Sequence, residues 1–283
     1  MLLVFVLVLL TTRPAVGAST EVVRSGPRAS GAVALTFDDG WGIDACAQIT
    51  KTLRKSGAKA TFFINGNYLK LDPKRWRKIL RGMPLGNHTR SHRNLVTESG
   101  LVARKQLKQN EDLHERLLGR PMLKVFRPPY GAYDAKVLGI AADLGYRHVV
   151  LWNISAADTS SSATVETIIR RTTGARPGSI ILMHCARDIT AQALPRIVAH
   201  YQRRGIELVG LDELLGMTSE SDSPGKNKAD KNKADKTKAD KTRAESDAEP
   251  AAQPVPLMEA LGRLLSKGLA AALAIIEGNA AYE

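Results

Sequence analysis

The chain has 283 residues, 43% of them hydrophobic, with 41 Lys and Arg against 28 Asp and Glu, two cysteines and a formal net charge of +13. This length holds one sizeable domain plus additional segments, and two cysteines exclude a small scaffold built on a disulfide framework. The charge sits in residues 1–217, where 31 Lys and Arg face 17 Asp and Glu, which favours anionic partners such as cell-wall polymers, membranes or nucleic acid without selecting among them.

Residues 1–10 form an apolar run too short to span a bilayer, followed by small residues up to Ala18. That is the pattern of a secretory signal peptide over 1–18, although it lacks a basic first segment. Residues 19–30 are polar and read as an irregular linker. From there the chain alternates. A strand over 32–37 ends on Asp38-Asp39-Gly40, and a helix follows over 44–56. A strand spans 60–64, and Asp72-Pro73 opens a basic helix with proline at a first-turn position. A short segment at 83–86 leads into His88, and a longer helix covers 97–118, ending at Gly119. Strands are expected at 123–126, 148–152, 179–183 and 206–209, separated by helices at 134–144, 164–173 and 190–204. Such alternation, with crossovers of a dozen or more residues, predicts an α/β domain over 31–216 built on a parallel sheet or barrel. The pattern does not separate the two.

Beyond Gly216 the composition changes. Lys226-Asn227-Lys228-Ala229-Asp230 recurs twice in close variants, with no apolar residue larger than alanine. Residues 217–254 therefore read as a low-complexity, disordered linker. Residues 255–283 carry leucines at helical spacing interrupted by Glu259, Arg263 and Lys267, predicting an amphipathic helix that is a poor membrane span. Docking on the domain, self-association and lying on a membrane surface are all open for it.

Four stretches carry chemistry. Asp38 and Asp39 end a strand, where alternation points neighbouring side chains in different directions. One could hold a cation while the other stays free as a base; a plain Asp-Gly turn is the competing reading. His88 and His92 stand four residues apart, and on one helical turn both would face the same way, as a transition-metal clamp requires. Two imidazoles and one carboxylate leave a coordination position open for water. Arg127 precedes Pro128-Pro129-Tyr130, a stiff turn from which a guanidinium can orient a carboxylate or simply bind nothing. His184 ends an apolar strand, where active sites of such folds form.

Together, Thr36-Phe37-Asp38-Asp39-Gly40, His88-Thr89-Arg90-Ser91-His92, Arg127-Pro128-Pro129-Tyr130 and Leu182-Met183-His184 resemble the ordered motifs of NodB-type polysaccharide deacetylases, carbohydrate esterase family 4. The resemblance covers about residues 30–216 and implies a distorted, incomplete (β/α) barrel. It implies a divalent metal, zinc first and cobalt second, on Asp39, His88 and His92, with Asp38 as general base and His184 as general acid. Arg127 would orient Asp38, Leu182 would line the acetyl pocket, and the Tyr130 backbone N–H would join the metal in stabilising an oxyanion. Asp158 would pair with the acid His184. The Asp-x-x-Asp-Trp motif departs here: Ser155 stands for the first Asp and Thr159 for the Trp. A neighbouring tryptophan, Trp41 or Trp152, is a candidate to compensate. First and last barrel strands adjoin on closure, so Cys46 and Cys185 are a possible disulfide.

The expected activity is hydrolysis of N-acetyl groups on N-acetylglucosamine of a cell-wall glycan by a secreted or wall-associated enzyme. Peptidoglycan comes first, chitin oligomers second and acetylxylan third. A non-catalytic glycan-binding protein on the same scaffold is the alternative of another class. Nucleic acid is not expected as a partner, because no aromatic interleaving or binding motif accompanies the charge. The chain also lacks His-Glu-x-x-His, the common zinc-protease arrangement.

Overall fold

A computed structural model describes residues 20–217 of the chain. The elements in order are β1 (Glu21–Val23), β2 (Ala32–Asp39), α1 (Ile43–Ser56), β3 (Thr61–Ile64), α2 (Gly66–Leu69) and α3 (Pro73–Leu80). After α4 (Gly100–Leu118) come β4 (Val125–Phe126), α5 (Ala135–Asp143), β5 (His148–Val150) and β6 (Ile154–Ser155). The series closes with α6 (Val165–Thr172), β7 (Ile180–His184), α7 (Asp188–Arg203), β8 (Glu207–Val209) and α8 (Leu211–Leu214).

Local chemistry sets the boundaries. Asp72 caps α3 by accepting from the Arg75 N–H with Pro73 behind it, Ser99 caps α4, and Asp134 caps α5. Gly57 and Gly119 end α1 and α4 in left-handed conformations that a Cβ would disfavour.

All strands pair in parallel. β2 is the central one, buried from Ala32 through Asp38, with β3 and β8 paired along it and β7 opposite. A strand covered on both faces reads as a continuous apolar run, which is why Ala32-Val33-Ala34-Leu35 shows no alternation. One sheet runs β3-β2-β7-β6 and the other β1-β5-β4. β5 and β6 flank the bend at 151–153, so this single stretch passes from one sheet to the other. On the far side, bridges from Leu85 to Phe62 and from Asn87 to Phe126 link β3 to β4. The result is the distorted, incomplete (β/α) barrel, with helices packed outside; α1 packs against α7, and α6 against α7.

Three expectations change. The 19–30 segment is not an irregular linker: β1 pairs with β5 in register Glu21↔His148, because a three-residue strand is too short to show periodicity. At the end of the described residues the Met217 N–H donates to the Asp212 carbonyl, so the last turn runs one residue beyond the Gly216 expected from composition. The strand expected over 148–152 breaks at Leu151, where the chain changes sheets. The leader at 1–18, the repeat linker beyond 217 and the helix at 255–283 lie outside the described residues.

Candidate metal and acid–base site

The strand register places two acid–base candidates side by side. Asp38 on β2 is the direct neighbour of His184 on β7, and Thr36 of Leu182. His184 ends β7 and Asp38 is the penultimate residue of β2, both at the carboxyl edge, where a parallel barrel opens. The two aspartates nevertheless do not diverge as strict alternation predicts. Asp39 has φ 73°, a left-handed conformation that returns its side chain to the same mouth.

Asp38 is held by Arg127. The fully buried guanidinium donates from Nη1 to Asp38 Oδ1 at 2.7 Å and to the Thr36 hydroxyl at 2.8 Å. Its other nitrogens donate to the carbonyls of Val150 and Leu151, each at 3.2 Å. The Phe63 ring lies 4.3 Å from the guanidinium carbon and the Trp152 ring 5.8 Å away. Burial pushes the Arg127 pKa down and the Asp38 charge opposes it; the buried guanidinium is compensated by that carboxylate and by three further acceptors.

His88 and His92 do not share a helical turn, contrary to the expectation from their spacing. The segment is a loop in which Thr89 (φ 65°) and His92 (φ 57°) are left-handed. Side chains fix it: Asn65 donates to the His88 carbonyl at 2.6 Å, Asn87 Oδ1 accepts from the Thr89 N–H, and the Thr89 hydroxyl accepts from the His92 N–H. The imidazole centroids end 5.0 Å apart. His88 Nδ1 lies 2.7 Å from the Arg127 carbonyl. A carbonyl only accepts, so Nδ1 carries the proton and Nε2 is left as the ligand atom.

Asp39, His88 and His92 offer ligand atoms that all lie within 4.8 Å of one another. Asp39 Oδ1 is 3.6 Å from His88 Nε2 and 3.4 Å from His92 Nε2, too long for good hydrogen bonds. These are the edges expected around a tetrahedral ion, about 3.3–3.4 Å for metal–ligand bonds of about 2.0–2.1 Å. The donor set thus fits a transition-metal ion. Burial alone would raise the Asp39 pKa, but His88, His92 and His184 hold it far below the usual carboxylate range. Burial and the His88 charge bring His92 down to about 4, so its ring is neutral at physiological pH.

His184 stands on the other side of Asp38. Its Nδ1 lies 2.8 Å from Asp158 Oδ1, and its own backbone N–H donates to Asp158 Oδ2 at 2.8 Å. Thr190, buried in the first turn of α7, donates to that same Oδ2 at 2.7 Å. Burial disfavours the imidazolium, but Asp158, with smaller contributions from Asp39 and Asp38, raises the His184 pKa to about 9.

The structure therefore brings Asp38, Asp39, His88, His92, Arg127, Asp158 and His184 into one cluster. The Tyr130 ring adjoins His92, with centroids 4.6 Å apart, and Tyr130 is left-handed at φ 62°. Leu182 is buried between Thr36 and Ser155 of the adjoining strands. Cys46 and Cys185 form a disulfide with Cα atoms 5.0 Å apart. Thr36, Asn65 and Thr190 were not singled out from sequence, although Thr36 lies inside the first motif. Thr190 stands 32 residues after its partner Asp158 and on a different element, so no local pattern marks it.

Residues 25–149 match the family described as polysaccharide deacetylase. A chitooligosaccharide deacetylase of Azorhizobium caulinodans is 33% identical over 189 residues, covering 62% of this chain and 90% of that protein. Among solved structures, the Bc1960 peptidoglycan N-acetylglucosamine deacetylase in complex with 4-naphthalen-1-yl-N-oxidanyl-benzamide aligns with a TM-score of 0.64. It is 31% identical, covering 69% of this chain and 92% of that one. BA3943 of Bacillus anthracis, a carbohydrate esterase family 4 pseudoenzyme, aligns with a TM-score of 0.65 at 26% identity over 69% of each chain.

Proposed function

Because the chain belongs to the polysaccharide deacetylase family, we propose that it is a secreted, metal-dependent enzyme that hydrolyses N-acetyl groups of N-acetylglucosamine in peptidoglycan. The observation that carries this reading is the pairing of two differently supported acid–base groups beside one ligand set. Asp38 is clamped by a cation and His184 by an anion, on register neighbours, next to Asp39, His88 and His92.

These environments divide the work. Asp38, held by the Arg127 guanidinium, takes a proton from the water that attacks the acetamide carbon. His184, protonated because Asp158 holds its charge, gives a proton to the departing amine nitrogen as the C–N bond breaks, leaving acetate and a free amino sugar. A zinc ion on Asp39, His88 and His92, with cobalt as substitute, would acidify that water and polarise the carbonyl. Tyr130, left-handed in its turn, would offer its backbone N–H to the developing oxyanion. Leu182 supplies an apolar wall for the acetyl methyl.

The leader at 1–18 supports secretion, and the net positive charge of residues 1–217 suits an anionic wall polymer. Chitin oligomers and acetylxylan are the competing substrates. Acetate release from zinc-reconstituted protein on peptidoglycan, chitin oligomers and acetylxylan tests the proposal. Release above an Asp38→Ala control is expected on peptidoglycan first; none on any of the three would overturn the enzymatic reading. Ser155 and Thr159, standing where the family motif has Asp and Trp, favour a second reading, a non-catalytic glycan-binding protein. That reading predicts glycan retention without acetate.

A further inference from the structure

The His88–His92 loop is tied to a polar patch in the core. Asn87, Asn110 and Tyr146 are all buried, and none of them is a candidate ligand, base or acid. Asn87 directly precedes His88, Asn110 lies in the middle of α4, and Tyr146 stands two residues before β5.

The Asn87 amide uses its whole hydrogen-bonding capacity. Its Oδ1 accepts from the Thr89 N–H at 2.9 Å and from Asn110 Nδ2 at 3.0 Å. Its Nδ2 donates to the Leu107 carbonyl at 2.9 Å and to the Tyr146 hydroxyl at 2.5 Å. With two donors and two acceptor sites answered, the side chain is held in one orientation. The backbone of the same residue is paired as well: its N–H donates to the Val125 carbonyl at 3.0 Å, and its carbonyl accepts from the Arg127 N–H at 2.9 Å. Asn87 therefore joins the left-handed turn at Thr89, which aims His88 and His92, to the strand end that carries Arg127.

Asn110 meets only part of its own capacity. Its Nδ2 also reaches the Ile64 carbonyl at 3.4 Å, and its Oδ1 has no partner among the described residues. A buried polar atom left unpaired destabilises a fold, and an apolar side chain of similar size avoids that cost. Packing alone thus gives no reason for an amide at this position, whereas its bond to Asn87 does. We infer that Asn110 and Tyr146 are positioning residues of the metal site. Acting through Asn87, they hold the turn at Thr89 and so set the spacing of the His88 and His92 ligand atoms. This rests on the metal-dependent reading above.

The test is zinc affinity of the full chain by chelator competition, together with the visible absorption of the cobalt(II)-loaded protein and thermal unfolding with metal removed. Asn110→Leu should bind zinc about 10–100-fold more weakly and alter the cobalt(II) spectrum. Its Tm without metal should stay at or above that of the parent, because an unpaired buried acceptor is gone. Tyr146→Phe keeps the ring and removes only the hydroxyl that accepts from Asn87, so it should shift affinity and spectrum the same way by less. Where Asn110→Leu fails to fold, Tyr146→Phe decides by the same readouts. Unchanged zinc affinity and cobalt(II) spectrum would overturn the positioning role, as would a fall in Tm without a fall in affinity. A parent that retains no zinc would instead overturn the metal-dependent reading, and the positioning role with it.

Discussion

Asp158→Asn removes one charge and little volume, and it tests whether His184 is an acid set by its partner. The ordinary imidazole pKa of 6.5 is raised to about 9 against the opposing effect of burial, a difference equivalent to roughly 3 kcal/mol. Asp158 makes the largest contribution to that rise and Asp39 and Asp38 the smaller ones; a bound dication would offset the latter two. The variant should therefore bring the alkaline limb of kcat down from near pH 9 to about 6.5 or below. At pH 8 a group of pKa about 6.5 is about 3% protonated, which predicts a loss of about thirtyfold. The same shift has a stability signature. A folded-state pKa above the unfolded one stabilises the fold fully below pH 6.5, and this contribution is lost as pH rises through about 9. Chemical denaturation from pH 6 to 10 should show that decline in the parent and flatten it in Asp158→Asn. Thr190→Val, which removes one of the two donors to Asp158 Oδ2, should move the kcat limb in the same direction by less, with Thr190→Ser restoring it. Coincident alkaline limbs in parent and Asp158→Asn would refute the assignment of His184 as the acid.

Arg127→Met leaves Asp38 buried without its cation, which costs about 3–5 kcal/mol, or roughly 6–20 °C in Tm for a domain of this size; calorimetry of Arg127→Met beside Arg127→Met/Asp38→Asn should show the double variant recovering stability but not activity. The Cys46–Cys185 bond closes a loop with a sequence separation of 139, so Cys46→Ala/Cys185→Ala should lose about 2–5 kcal/mol in denaturant unfolding. An unchanged midpoint would mean that the bond contributes nothing to stability. Removal of one ligand by His92→Ala should abolish retention of stoichiometric zinc after desalting, measured by elemental analysis, whereas the parent should bind zinc and lose it to a chelator.

Much of the barrel was legible because its strands are apolar runs bounded by polar or glycine residues, as in Ala32-Val33-Ala34-Leu35 and Ile180-Ile181-Leu182-Met183. α3 and α4 announced themselves through Asp72-Pro73 and through the stop at Gly119; the Ser99 cap was not read from the sequence. β1 was not legible, since three residues have no period, and its pairing with β5 is a decision of the tertiary structure. The geometry of the site was legible only in its residue types. Spacing alone put His88 and His92 on a helix and Asp38 and Asp39 on opposite faces. Both expectations failed for one reason: Thr89, His92 and Asp39 adopt left-handed backbones, which buried partners such as Asn65 and Asn87 stabilise in the His88–His92 loop. Backbone strain of this kind gathers at functional sites and leaves no mark in a propensity pattern.

The departure at Ser155 and Thr159 can now be separated from the acid–base machinery. Asp158 takes its orientation from β7 and α7, through the His184 N–H and the Thr190 hydroxyl. Its own loop contributes the bend: the Ser155 hydroxyl accepts from the Ala157 N–H at 3.1 Å, beside a left-handed Ala157 at φ 50°. Serine can cap that bend as aspartate would, so the first substitution leaves the carboxylate where His184 needs it. The second is different. Thr159 is exposed, and Trp152 is already committed to the Arg127 guanidinium and to close packing at Gly131. Trp152 therefore cannot stand in for the missing indole without loosening the clamp on Asp38. Trp41 is half exposed, but it sits on the β2–α1 loop and in its own cleft. On the deacetylase reading proposed above, the substitution falls on the wall beside the acyl group rather than on proton transfer, and its effect is expected in which acyl group and glycan are accepted.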